Sequence, residues 1–179
     1  MRTDTERVIQ EFGIKTLGNV KNIEKLEAKL HDNEEVIYIS PTNVVISEAN
    51  TRAVKKLPGV CALTNERFIF YNKTLFNEYT DMVPIDEIRS LDCSGNGLTG
   101  GHIKISSITK TYDILVTYKK EVMASIQEKF YSVKNSPRNQ VTNSPDIIDQ
   151  IQKLSDLKDK GVLTEEEFNQ KKTELLSKL

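Results

Sequence analysis

The segment Gly95-Asn96-Gly97-Leu98-Thr99-Gly100 carries the spacing G-x-G-x-x-G. Glycines at that spacing cradle a pyrophosphate when a helix begins directly after them, because the helix N-terminus then faces the anion. The residues that follow are HIKISSITKTYDILVTY, which alternates like strand rather than helix. A phosphate-binding loop of the other kind requires Lys and then Ser or Thr where Gly101 and His102 stand. The glycine run therefore predicts a turn between two strands and no nucleotide site. His31, Cys61, Cys93 and His102 are the remaining residue types that hold zinc, but no C-x-x-C or H-x-x-x-H pair brings any two together. No metal and no cofactor is expected. A thiol nucleophile needs an oriented base. His102 is the one histidine in the sequence neighbourhood of Cys93, yet a strand-end thiol and a surface imidazole explain both. The acidic pairs Glu34-Glu35 and Asp86-Glu87 sit at turns and read as solvated. No catalytic residue emerges, and the chain is expected not to be an enzyme.

The elements that must position these residues follow from periodicity. Hydrophobic residues make up 37% of the 179, enough for one modest core. With 25 basic and 26 acidic side chains the net charge is −1, which gives no basic excess for nucleic acid. No apolar run is long enough to span a bilayer and the first residues lack a signal-peptide core, so a cytoplasmic protein, at most peripheral to a membrane, is expected. Ile23, Leu26 and Leu30 recur at helical spacing, with Asn19 or Asn22 as cap, and Thr5 to Phe12 reads as a further short helix. From Glu34 the period changes to two. EEVIYIS and NVVIS, broken at Pro41-Thr42-Asn43, are followed by GVCALT and RFIFYNK around an Asn65-Glu66 turn. YTDMVPIDEIRSLDC adds one or two strands, then HIKISSI and TYDILVTY. About seven short strands predict a sandwich or partly open barrel. Val122, Ile126, Phe130 and Val133 then fall on one face of a helix placed to cap it.

KNSPRNQVTNSP, residues 134–145, reads as a linker. Beyond it Ser144 caps a helix with Pro145 at its first position, an apolar stripe at Ile147, Ile148, Ile151, Leu154 and Leu157, and Gly161 as its stop. Thr164 and Glu167 form a capping box, with Leu163 and Phe168 as its hydrophobic staple, and Leu175, Leu176 and Leu179 continue the face. The expected organisation is an N-terminal helical segment over 1–32, a β domain over 33–133, the linker, and a helical hairpin over 146–179. A hairpin of about 34 residues falls below the ~40 at which a unit stands without outside help. Its apolar stripes, with Ile148, Ile151, Leu154, Phe168, Leu175 and Leu176 foremost, are expected to pack on the first domain, on a copy of the chain or on a protein partner, and the linker favours the last two.

DIIDQIQKLSDLKDKGVLTEEEFNQKKTELLSKL resembles the short C-terminal domain, SHOCT, in its Leu-x-x-Leu, Gly161, Thr164, acidic run, Phe168 and Leu-Leu. GVCALTNERFIFYNK, MVPIDEIRSLD and the helix ending KFYSV resemble bacterial pleckstrin-homology (PH)-like domains of the YokE type. The resemblance implies an α+β fold in which an antiparallel β-sandwich is capped by a C-terminal helix. It also implies a tail that mediates oligomerisation or partner contact, in a kind of protein common in bacteria and their prophages. In lipid-binding PH domains the loop between the first two strands carries basic residues. Arg52, Lys55 and Lys56 occupy a similar position here, and they are the expected contact with an anionic membrane surface. The second strand, Val60-Cys61-Ala62-Leu63, lacks the basic residue that pattern also requires.

Overall fold

In the computed structural model, residues 1–49, 51, 53–136, 154–155, 157–158 and 163–176 are described, Leu175 and Leu176 by their backbone alone. They divide into two compact units, Met1–Asn135 and Ser136–Leu179.

The first unit opens with two helices. α1 (Thr3–Phe12) buries Thr5, Val8 and Phe12 at helical spacing and stops at Gly13, whose φ of 62° is left-handed and releases the chain from the helix. α2 (Val20–Glu27) buries Ile23 and Leu26 completely. Asn19 stands at its N-cap, but the side chain bonds the Leu17 carbonyl at 3.2 Å instead of the helix.

Seven antiparallel strands follow: β1 (Val36–Glu48), β2 (Val54–Thr64), β3 (Arg67–Lys73), β4 (Glu78–Pro84), β5 (Ser90–Asn96), β6 (Gly100–Ser106) and β7 (Lys110–Val116). They form one open sheet in the order β4-β3-β2-β1-β7-β6-β5. β1 is the shared strand. It pairs with β2 along nearly its whole length, but with β7 only from Val44 to Glu48. Pro41 was expected to break this segment into two strands. It does not, because β1 has a second neighbour only from Val44 onward, so the donor that proline lacks is not needed there. The expected turns at Asn65-Glu66 and in the glycine run do form; Thr64 Oγ1 accepts from the backbone N–H of Glu66 and Arg67 at 3.1 and 3.0 Å.

α1 packs on β1, and α2 lies on β2 and β3. Inner-face residues such as Cys61, Phe68, Phe70, Ile103, Ile105, Tyr112 and Ile114 fill the space between the two wings of the sheet. α3 (Lys120–Lys134) covers β5 and β1 with Met123, Ile126 and Phe130, while Val122 and Val133 flank them half-buried. Gly59 lies next to Val60, whose partner in β3 is Tyr71. A Cβ there would run into the Tyr71 carbonyl and the Phe70 ring. Gly59→Ala is therefore expected to cost about 1–3 kcal/mol through overpacking, read as a lower urea midpoint at unchanged slope.

In the second unit Leu154, Ser155, Leu157 and Lys158 are helical, and α4 runs from Glu165 to Leu176. The linker call, and the calls on Ser144, Pro145, Ile147, Ile148, Ile151, Gly161 and Leu179, lie outside the described residues.

Candidate binding surfaces

Below Val44 the strands β1 and β7 diverge, and the space between them is a groove of about 540 Å³. Tyr38, Ser40 and Pro41 of β1 form one wall, and Leu115 to Lys119 form the other. Phe12 to Lys15, just past the end of α1, and Gly97 and Gly100 of the β5–β6 turn close its ends. Its lining is about as polar as it is apolar, and Lys15 and Lys119 supply positive charge. Lys119 Nζ reaches the Phe12 carbonyl at 3.4 Å, which fixes one cation beside the end of α1. Burial pushes the Tyr38 hydroxyl far above its ordinary pKa, so it is a neutral donor in the wall.

At the other end of the sheet, Asp81 of β4 reaches across to β7. Its carboxylate accepts from Lys110 Nζ at 3.0 and 2.8 Å and from the hydroxyls of Tyr79 and Tyr112 at 2.9 Å each. Burial pushes the Asp81 carboxyl up, but these donors outweigh it and hold the pKa below the usual carboxylate value. The cluster ties the two wings together where no strand pairing does. It also occupies Lys110, so this cation is already neutralised.

Glu34, expected to be solvated, is instead fully buried. Arg67 grips it through Nε at 3.0 Å and Nη2 at 2.9 Å, Thr64 Oγ1 donates at 2.7 Å, and the His31 backbone N–H donates at 2.9 Å. Burial alone would raise this carboxyl, but Arg67 foremost holds it below its ordinary pKa. His31 Nδ1 lies 2.8 Å from Glu66 Oε2 and 3.7 Å from Glu34 Oε2. These three side chains present ligand atoms within 4.8 Å of one another. A cation there would share Glu34 Oε2 with the guanidinium 2.9 Å away, so the donor set does not suit a metal.

The other residues weighed for chemistry are not brought together. Cys93 pairs with Ile103, which puts His102 on the opposite face of the sheet, where it bonds Asp113 at 2.8 Å. Burial raises the Cys61 thiol to about 12 and the Cys93 thiol to about 11, well away from thiolate chemistry. The glycine run is a turn in which Asn96 Oδ1 accepts from Leu98 and Thr99 N–H at 2.9 Å, followed by β6. Arg52 lies outside the described residues. Lys55 and Lys56 are exposed but stand within β2, as successive strand residues with side chains on opposite faces.

In the tail the capping box forms. Glu167 Oε2 accepts from Thr164 N–H and Oγ1 at 2.9 and 2.8 Å, and Glu167 N–H donates to Thr164 Oγ1 at 3.3 Å. Phe168 is half-buried, with Lys158 Nζ 5.1 Å and Lys172 Nζ 5.8 Å from its ring centre. Leu154 and Leu163 are also only half-buried, and Leu157 is 38% exposed.

The profile of the bacterial PH domain matches residues 30–149. The chain belongs to the bacterial PH domain family. The PH domain is followed by a match to the short C-terminal domain over residues 149–176. Among solved structures the chain is similar to the Vps36 N-terminal PH domain, at 13% identity, covering 60% of this chain and 86% of that one, with a TM-score of 0.43. It is also similar to a DUF1696 family protein with a pleckstrin-homology domain from Shewanella loihica PV-4, at 16% identity, covering 64% and 92%, with a TM-score of 0.41. No curated protein matches. Among the described residues no helix is long and apolar enough to cross a membrane.

Proposed function

We propose that the protein is a non-enzymatic adaptor. Its PH domain supplies a binding surface, for which the β1–β7 groove with Lys15, Lys119 and Tyr38 is the best-formed place. Its short C-terminal domain assembles copies of the chain or recruits a protein partner. The observation that carries this reading is in the tail: Leu154, Leu163 and Phe168 stay half-buried and Leu157 38% exposed in their own unit. Apolar surface of that kind, in a unit too small to enclose it, is stabilised by another body. The side chains of Leu175 and Leu176, and all of Ile148 and Ile151, are assigned to the same face from the sequence pattern.

Sedimentation of the full chain and of a chain ending at Asn135 tests the self-association arm. The shorter chain retains every residue of the buried core. The full chain is expected to sediment as an oligomer and the shorter one as a monomer. Two monomers would remove self-association and leave only a foreign partner.

A second reading is contact with an anionic membrane through the β1–β2 hairpin, by Arg52, Lys55 and Lys56. The exposure of both lysines, next to Val54 at 63% exposed, favours it.

A further inference from the structure

Lys21, Lys25 and Lys29 recur at every fourth residue along α2 and the turn that ends it, so they share one side of the helix. α2 lies on β2 and β3. Lys29 Nζ is 5.3 Å from the Tyr71 ring centre and bonds Glu78 of β4 at 3.1 Å, while Lys73 Nζ of β3 lies 3.5 Å from the same carboxylate. Lys29 foremost, with Lys73 behind it, holds the Glu78 carboxyl below its ordinary pKa, so Glu78 is an anion at neutral pH. Four amines thus gather about one carboxylate.

Lys25 is the odd member of the four. Its nitrogen is within hydrogen-bond reach of Lys73. A lysine ammonium has three donors and no acceptor, so a bond between two lysine nitrogens requires one of them to be the free amine. Glu78 decides which. It lies beside Lys29 and Lys73 and keeps both as ammonium ions. The Lys73 charge, above all, then holds the Lys25 ammonium below its ordinary pKa, and Lys21 adds to the effect. A lysine next to another cation becomes a nucleophile in this way. Lys25 is also exposed, so a reagent in solution reaches it.

The same cations select the reagent. An acyl phosphate brings phosphate oxygens, which ammonium groups bind, on the very carbonyl carbon that an amine attacks. We propose that Lys25 is an acylation site for acyl phosphates, with Lys21 and Lys73 holding the phosphoryl group while the free amine attacks the acyl carbon. The C–N bond forms as the bond from that carbon to the phosphate oxygen breaks. Phosphate leaves with the electron pair of the broken bond and takes the proton that the amine sheds. The product amide is neutral, so one of the four positive charges is removed for good, and its oxygen gives Lys73 an acceptor. Lys21, Lys25 and Lys29 precede the matched residues 30–149, so the family match does not assign this site. It is independent of the groove and of assembly by the tail.

Incubation of the full chain with acetyl phosphate, followed over time by peptide mass spectrometry, tests it. Lys25 is expected to be acetylated several-fold faster than Lys55, which is exposed on β2. The rate at Lys25 rises with pH as the free amine forms and levels off below the ordinary lysine value of about 10.4. Lys73→Gln removes the neighbouring charge, brings Lys25 down to the rate of Lys55 and moves its pH profile upward. Lys73→Arg keeps the charge and keeps the preference. Acetic anhydride carries no phosphate, so it gives a smaller ratio of Lys25 to Lys55 than acetyl phosphate does. Thermal unfolding of each variant checks that the fold is intact. Lys25 reacting no faster than Lys55, or keeping its rate in Lys73→Gln, overturns the proposal. Equal ratios with the two reagents would make Lys25 a general nucleophile and overturn its assignment to acyl phosphates.

Discussion

Arg67→Ala is expected to lower stability by about 3–5 kcal/mol, the range for stranding one partner of a buried ion pair. Glu34 has no exposed surface, and Arg67 supplies two of its hydrogen bonds while donating a third, at 2.8 Å, to the Lys29 carbonyl. Removing the guanidinium leaves a buried carboxylate with Thr64 and the His31 backbone as its remaining donors. The loss also detaches the end of α2 from β3. The pH dependence identifies the cause. In the parent protein the folded Glu34 carboxyl lies below its ordinary value, so its contribution is present above the unfolded range, about 4.3, and is lost as the pH falls through the folded pKa. In Arg67→Ala burial acts without its main opponent, so the carboxyl rises and the variant loses stability as the pH climbs through that raised value. The gap between the two proteins should therefore be wide at neutral pH and narrow in acid. Urea titrations at neutral and acid pH measure it. A gap that does not depend on pH would mean that Arg67 acts by packing alone. Glu34→Gln combined with Arg67→Ala is expected to recover part of the loss, because no buried charge remains.

Where local spacing carries the signal, the sequence anticipates the molecule. The face of α3 is legible because Val122, Ile126, Phe130 and Val133 follow the helical period; Met123, buried against Gly101, stands three residues before Ile126 on the same stripe and is missing from that expectation. Thr164 and Glu167 stand three residues apart in the chain, so their capping box is legible too. Glu34 shows the opposite case. Its partner is 33 residues away, and nothing in Glu34-Glu35 distinguishes the buried carboxylate from its exposed neighbour, which instead meets Arg7 at 2.7 Å. Pro41 reads as a breaker locally; only the sheet order, which leaves β1 without its β7 neighbour at that level, makes it harmless.

The candidate surfaces divide along the same line. TRAVKK reads as one basic loop, but the pleat of β2 turns Lys55 and Lys56 to opposite faces of the sheet. Lys25 and Lys73 are 48 residues apart (73 minus 25), and a helix packed on a strand is what makes them neighbours. Leu75 and Phe76 are ordinary strand-forming residues until a two-strand turn carries them into solvent. The groove is likewise a product of divergence between β1 and β7, which no stretch of sequence encodes alone.

Phe130→Ala is expected to cost about 3–5 kcal/mol, the range for removing a large aromatic from a well-packed core. The ring has no exposed surface and lies 4.9 Å, centre to centre, from Tyr131. α3 does more than end the domain. Gln127 Nε2 donates to the Leu91 carbonyl at 3.2 Å, Tyr131 bonds the same oxygen at 3.5 Å, and Lys134 bonds the Ile88 carbonyl. The helix thus satisfies backbone acceptors at and just before the start of β5, the last strand of the sheet order, and buries the apolar interior behind it. If it were only a tether between the two units, truncating Phe130 would cost less than about 1 kcal/mol, as surface changes do. If it is part of the core, the cost is several-fold larger than that of Val133→Ala, which removes a half-buried side chain one turn on. Urea unfolding followed by circular dichroism separates the two, and its slope adds a second readout. A smaller slope in Phe130→Ala would show α3 already released before the sheet unfolds, whereas an unchanged slope would show helix and sheet still melting as one.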